Sequence, residues 1–278
     1  MWRYPYLTDQ FGFHEGNSIL HRLNPLAKFL SLMLMLLGIL IYPSIVVSIL
    51  FLISLIIGFF AAGISFKVNQ KRVQFIFVFG LLLFALQVLV TPNGNILVYL
   101  IPEINGLGPF VPITDYGVSL GLIFSLRFLL IVLSSMLFVS ITDPTLLAHS
   151  FAKCGVSYRY SFALIIALRF LPLFDTESEM IRMAQQSRGI TTEIRSIRGI
   201  SKLLRYTFRP LLVSALSRVD ALSMSMDGRG FGYASDRTYV RNAEWRFQDT
   251  ILVVSLFAYL CICFLLSFGL LQFPVALF

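Results

Sequence analysis

Residues 29–66 read FLSLMLMLLGILIYPSIVVSILFLISLIIGFFAAGISF, 38 positions without a charged side chain. As one helix this run would be about 57 Å long at 1.5 Å per residue, roughly twice the hydrocarbon thickness of a bilayer. It therefore folds back on itself, and Tyr42-Pro43-Ser44 is the natural break, giving spans near 26–42 and 45–62. Working outward, a third apolar stretch runs from Val73 to Thr91, a fourth from Gly117 to Ile141 and a last one from Thr250 to Leu271. The expected fold is an all-α membrane protein with about five transmembrane helices.

Composition supports this reading. The chain has 278 residues, 57% hydrophobic and 13% charged, with a mean hydropathy of +0.82. A soluble globular chain carries about a quarter charged residues, so most of this one faces something other than water. The net charge of +8 points first to loops on the cytoplasmic side and not to nucleic acid. Arg3, Arg22 and Lys28 precede the first span, and Lys67, Lys71 and Arg72 follow the second. The 92–117 connection has no Lys or Arg, whereas residues 143–249 hold 15 of the 22 cations. Together these place the N-terminus and 143–249 in the cytoplasm and 92–117 outside. The resulting division is 1–141 (N-terminal segment and four spans), 142–249 (cytoplasmic region) and 250–278 (C-terminal span). No cleavable signal peptide is expected, because charged residues precede the first apolar run in the wrong order for one.

Several local features are weighed separately. Tyr160 to Phe174 is apolar but short and interrupted by Arg169 and Pro172, and reads as a helix lying against, or dipping into, the cytoplasmic face. Arg127 falls within the fourth span, where a lone cation needs a polar partner. It either positions a partner subunit or hydrogen-bonds internally to Ser134, Ser135 or a nearby carbonyl. His21, before Asn24-Pro25, reads as a local cap or interfacial contact in preference to a metal ligand. Cys154, Cys261 and Cys263 have no disulfide or metal-like spacing. No metal site and no cofactor are expected. The spans contain no Asp, Glu or His, which removes the clustered acid, base or nucleophile that a membrane-embedded enzyme needs.

The cytoplasmic region has its own pattern. Asp175, Glu177 and Glu179 follow Pro172, as suits a helix N-terminus. Met183, Ser187, Ile190, Ile194 and Ile197 then recur at helical spacing. After Gly199 the positions Ile200, Leu204, Phe208, Leu211, Ala215, Val219, Leu222 and Met226 do the same. Arg195, Arg198, Arg205, Arg209 and Arg218 lie off these stripes, and Pro210 should kink or restart the second helix. Two amphipathic helices of this kind can pack on each other, lie on an anionic leaflet or present a surface to a soluble partner, and periodicity does not choose among these.

The two helices end alike, in Ser187-Arg188-Gly189 and in Asp227-Gly228-Arg229-Gly230. This resembles the paired small-Arg-Gly signature, usually Ala-Arg-Gly, of the transmembrane T component of energy-coupling factor transporters. Ser187 and Gly228 stand where that family usually has alanine. Further matches follow in chain order: Ser18, His21, Leu23, Asn24, Pro25 and Lys28 before the first span, Thr142-Asp143-Pro144 after the fourth, and Ala167-Leu168-Arg169-Phe170-Leu171-Pro172 before the first motif. The resemblance spans roughly residues 18–240.

It implies a non-enzymatic subunit of an ATP-driven importer in a prokaryotic plasma membrane. Its implied partners are two ATP-binding cassette ATPases (a homo- or heterodimer), a membrane S component that selects a vitamin or transition-metal ion, and the lipid bilayer. It further implies that Arg188 and Arg229 each dock on one ATPase, flanked by Ser187, Gly189, Gly228 and Gly230, with Arg169, Pro172 and Asp227 in support. Arginine suits that role because its planar fork donates several hydrogen bonds while keeping its charge. The rival expectation is a self-sufficient secondary transporter or channel, which would call for discontinuous helices and buried polar sites.

Overall fold

The computed structural model describes residues 13, 16, 18–41, 44–64, 70–101, 110–190, 200–201, 204–233 and 244–267. These fall into two compact units, one of residues 11–150 with 243–278, the other built on 151–242.

The first unit holds the apolar helices. A short helix α1 (Ile19–Arg22) leads into α2 (Pro25–Ile41), α3 (Ile45–Ala62) and α4 (Gln70–Val90). A hairpin of β1 (Ile96–Ile101) and β2 (Phe110–Thr114) follows, then α5 (Asp115–Ile141), α6 (Pro144–Lys153) and, from the far end of the chain, α9 (Phe247–Ser267). Among the described residues, α3, α4 and α5 are long and apolar enough to cross a membrane, with α2 and Phe247–Ile262 as shorter apolar helices. These five lie within a few residues of the five spans read from hydropathy. Tyr42 and Pro43 are outside the described residues, but the helices on either side stop at Ile41 and restart at Ile45. The antiparallel pair, with Ile96 opposite Thr114 and Ile101 opposite Phe110, supplies the strands among described residues that are otherwise mainly helical.

Ile39, Val47, Phe51, Leu55 and Leu130 form the buried centre of this unit, drawn from α2, α3 and α5. Tyr259 of α9 sets its ring edge-on against Phe51, 4.5 Å between centroids. Glycine lets helices approach closely here. A Cβ on Gly121 would lie 3.2 Å from the Phe84 carbonyl oxygen, and one on Gly117 2.9 Å from that of Thr91, so both mark the contact of α4 with α5.

Polar groups inside this unit are spent on helix ends. The last carbonyls of any helix lack intrahelical partners. Lys28 Nζ, almost fully buried, donates to the Ile141 carbonyl at the end of α5 (2.8 Å) and to that of His21 (3.1 Å). Arg127 Nη2 donates to the Leu40 carbonyl at the end of α2 (3.1 Å). Each of the two antiparallel helices thus supplies a cation to the other's C-terminus. Of the two expectations for Arg127, the internal bond to a carbonyl is the one present.

Asp249, fully buried in the first turn of α9, accepts from the backbone N–H of Asn24 (2.8 Å) and of Arg246 (2.7 Å). It ties α9 to the start of α2. Ser18 caps α1, and its hydroxyl meets His21 Nδ1 at 2.7 Å, so His21 takes part in a local cap.

Candidate partner-docking site

The second unit is built on α7 (Tyr158–Ser187) and α8 (Arg209–Gly228), the latter preceded by a π-helical turn at Leu204–Phe208. The turn ends where Pro210 enters the first turn of α8, a position that tolerates a missing N–H. Of the kink or restart expected at Pro210, no break occurs: Phe208 is itself helical (φ −69°, ψ −40°) and the π-helical turn runs directly into α8. Residues 191–199, which include Ile194, Arg195, Ile197, Arg198 and Gly199, lie outside the described residues.

The expectation of a helix starting after Pro172 is corrected. One helix runs from Tyr158 to Ser187 with Pro172 inside it. Proline removes one N–H and crowds the preceding turn at a cost of about 3 kcal/mol, but it does not forbid a helix on both sides. Asp175, Glu177 and Glu179 are thus mid-helix residues and not an N-terminal cluster. Residues 160–174 belong to this helix, which is not among the long apolar ones. The apolar stripe also stops sooner than its spacing suggests, because the helix ends at Ser187 and Ile190 lies beyond it.

Two contacts fix the direction of α8 along α7. Glu177 accepts from Arg218 Nη2 (2.9 Å) and from the Ser214 hydroxyl. Near the start of α7, Phe162 and Tyr158 pack against Phe231, with ring centroids 4.6 and 6.0 Å away. The later position on α8 meets the earlier one on α7, so the helices run antiparallel. Arg188 closes one end of the pair and Arg229 closes the other.

The two ends have the same geometry. In the first, the Gly189 N–H donates to the Gln186 carbonyl (2.9 Å) and the Ile190 N–H to that of Gln185 (2.9 Å). In the second, Gly230 donates to Asp227 (2.9 Å) and Phe231 to Met226 (3.0 Å). This is the Schellman pattern, in which a left-handed residue after the cap turns the chain back on the last carbonyls. Gly189 has φ +76° and Gly230 φ +65°, a region costly for any residue with a Cβ.

The arginines are the capping residues themselves, at φ −88°, ψ 8° for Arg188 and φ −98°, ψ 10° for Arg229. Each motif therefore spells last helical residue, cap, left-handed turn. Gly228 in place of alanine leaves this cap the same as that of Ser187, since Gly228 is the last helical residue and its conformation needs no glycine. The Ser187 hydroxyl bonds back to the Met183 carbonyl within the helix (3.1 Å).

Ser187, Arg188, Gly189, Gly228, Arg229 and Gly230 are all exposed. Both guanidinium groups extend from the negative ends of helix dipoles, which favours their charge there. The two triplets are not one site but two displays of the same element. Arg169 and Pro172 stand away from the first triplet along the helix that carries them. They lie inside α7, roughly 28 and 24 Å along its axis from Arg188 at 1.5 Å per residue. Asp227 supplies its carbonyl to the second cap.

Sequence reasoning missed the pairing of Glu177 with Ser214 and Arg218. The available signal was a carboxylate facing a Ser and an Arg four residues apart, which share a helix face. Among the described residues no group of His, Cys, Asp and Glu is arranged to hold a metal.

The family model described as cobalt transport protein (CbiQ) matches residues 16–240. The energy-coupling factor transporter transmembrane protein EcfT of Listeria innocua is 31% identical over 255 residues, covering 87% of this chain and 91% of the relative. Those of Streptococcus thermophilus and Bacillus subtilis are 29% and 28% identical over 273 residues, covering 91% and 90% of this chain and 96% and 95% of the relatives.

Proposed function

The chain belongs to the CbiQ family of cobalt transport proteins, and on that premise we propose that it is the T component of an energy-coupling factor importer, joining two ATPases to an S component in a prokaryotic plasma membrane. The observation that carries this reading is the duplicated cap: two exposed arginines, held in the same backbone geometry, at opposite ends of one antiparallel helix pair. A duplicated display suits a pair of related partners, one arginine to each ATPase. The Schellman turn holds each guanidinium's backbone still, which lowers the ordering cost of docking. Movement of the ATPases on binding and hydrolysing ATP would then pass through the α7–α8 pair to the S component. That component selects the cargo, a vitamin or a transition-metal ion. The T component carries no chemistry of its own in this scheme. The N-terminus and the α7–α8 unit lie on the cytoplasmic side, as the cation distribution favours.

The test is the pair of substitutions Arg188→Ala and Arg229→Ala in one chain, expressed with its partners. Membrane insertion is expected to persist while uptake and copurification of the ATPases are lost. Normal uptake and copurification in the double variant would overturn the assignment.

A further inference from the structure

The two strands between α4 and α5 have no polar face. A hairpin that meets water on one side alternates apolar with polar residues. Here ILVYLI of β1 and FVPIT of β2 hold no charged side chain, and Tyr99 and Thr114 are their only polar residues. Val98 pairs with Ile113 and the next residue, Tyr99, with Pro112, so Val98 and Tyr99 lie on opposite faces. Both are exposed, Val98 at 60% and Tyr99 at 39%, as are Ile96 and Leu97. Neither face of the ribbon is fully covered by the rest of the described chain, and a two-stranded hairpin left to water is marginal.

Its base is fixed at the ends of two apolar helices. The Thr114 hydroxyl donates to the Thr91 carbonyl just beyond α4 (3.0 Å) and accepts from the Gly117 N–H in the first turn of α5 (3.1 Å). The Asp115 N–H donates to the Asn95 carbonyl (3.0 Å). Both α4 and α5 are long and apolar enough to cross a membrane, so the hairpin starts at the level where that crossing ends. Its exposed apolar surface continues along the chain that of the last turns of α4, where Leu86, Leu89 and Val90 are also open. Tyr99, and Tyr116 exposed in the first turn of α5, supply the amphipathic rings that collect at this level of a bilayer.

We propose that the hairpin is an interfacial anchor, lying in the boundary between headgroups and acyl chains, with lipid as the partner of both faces. Its depth follows from the backbone. The outer edges of a two-stranded ribbon keep unpaired N–H and C=O groups, which hydrocarbon does not satisfy, whereas the wet headgroup layer does. The six residues of β1 reach about 20 Å, so a ribbon lying flat there holds the α4–α5 pair against sinking or tilting. Residues 92–117 contain no Lys or Arg, which leaves burial of apolar side chains, and not attraction to anionic headgroups, as the driving force.

The experiment is tryptophan quenching in phosphatidylcholine proteoliposomes of the full chain, with Trp2→Phe and Trp245→Phe removing the two native indoles. Val98→Trp and Tyr99→Trp report one face each. Both are expected to be quenched by phosphatidylcholine brominated near the headgroup end of its acyl chains, less by lipid brominated deep in the chains, and little by aqueous iodide. Leu82→Trp, exposed on α4 about 12 Å before Val90, should show the reverse order of the two lipids. In the unaltered chain, a phospholipid with a photoactivatable diazirine high on its acyl chain should crosslink to the peptide that holds residues 96–101. Iodide quenching without bromolipid quenching at either position would overturn the anchor, as would a hairpin that takes no crosslink. Stronger quenching by the deep bromines at Val98→Trp and Tyr99→Trp would overturn the interfacial depth. Loss of bromolipid quenching on one face when the chain is reconstituted with its partner subunits would assign that face to a protein instead of lipid.

Discussion

Arg127 Nη2 donates to the carbonyl oxygen of Leu40 across 3.1 Å, so a cation within one apolar helix closes the open end of another. Lys28 does the same in reverse, at 2.8 Å from the Ile141 carbonyl. In hydrocarbon an unpartnered carbonyl costs several kcal/mol, and these two cations spend their charge where α2 and α5 leave carbonyls over.

Replacing Arg127 with Met should lower stability by about 1–3 kcal/mol, the cost of an acceptor left unpaired away from water. Arg127→Lys should recover part of it through the remaining donor. Thermal unfolding of the purified protein in detergent measures both, and a Met variant as stable as the parent would remove the cap from the energetics of the fold.

Asp249→Ala should be more damaging than Asp249→Asn. Alanine leaves the Asn24 and Arg246 N–H groups without an acceptor at a fully buried position, whereas asparagine keeps one acceptor oxygen. The expected ordering is a loss of about 1–3 kcal/mol for each orphaned group. Comparison of unfolding midpoints, with expression level as a second readout, checks it.

The two caps predict opposite outcomes for neighbouring glycines. Gly189→Ala and Gly230→Ala force a Cβ into the left-handed region at a cost of about 1–2 kcal/mol, although nothing crowds either position. Gly228→Ala, in helical backbone, should stabilise the end of α8 by up to about 1 kcal/mol. Hydrogen exchange reads this directly. The Ile190 or Phe231 amide should exchange about 5- to 30-fold faster when its own cap is strained, and Phe231 should slow in Gly228→Ala.

Glu177 and Arg218 should couple weakly. The pair is 2.9 Å apart, but the Arg218 side chain is 39% exposed, so a double-mutant cycle should return roughly 0.2–1 kcal/mol, shrinking as salt is raised. A large effect of Glu177→Ala alone beside a small coupling would mean that the Ser214 hydroxyl, which shares Glu177, carries most of the interaction.

Arg188→Lys and Arg229→Lys test the fork and not the charge. Lysine keeps the cation but presents a point charge in place of a planar set of donors. ATPase copurification should fall with each single lysine variant while membrane insertion is unchanged. Full retention with lysine would indicate that charge alone is recognised.

Much of this architecture follows from residues read in order. The uncharged run 29–66 had to break near Pro43, because a bilayer admits only about 20 residues per crossing, and that constraint acts on each segment by itself. The end of α8 was equally legible, and that of α7 only from its Arg-Gly, since the apolar spacing runs on to Ile197. Arg-Gly after an amphipathic stretch encodes a left-handed stop whose hydrogen bonds reach back only a few residues. Tertiary structure decided what depends on residues far apart in the chain: Arg127 on Leu40, Lys28 on Ile141, Asp249 on Asn24, and Glu177 between Ser214 and Arg218. It also carried α7 straight through Pro172, where local chemistry argued for a new helix. The physical reason is one of range. Hydropathy, caps and turns are settled within a helical turn or a membrane crossing, whereas the partner of a buried charge is settled only once the helices have packed.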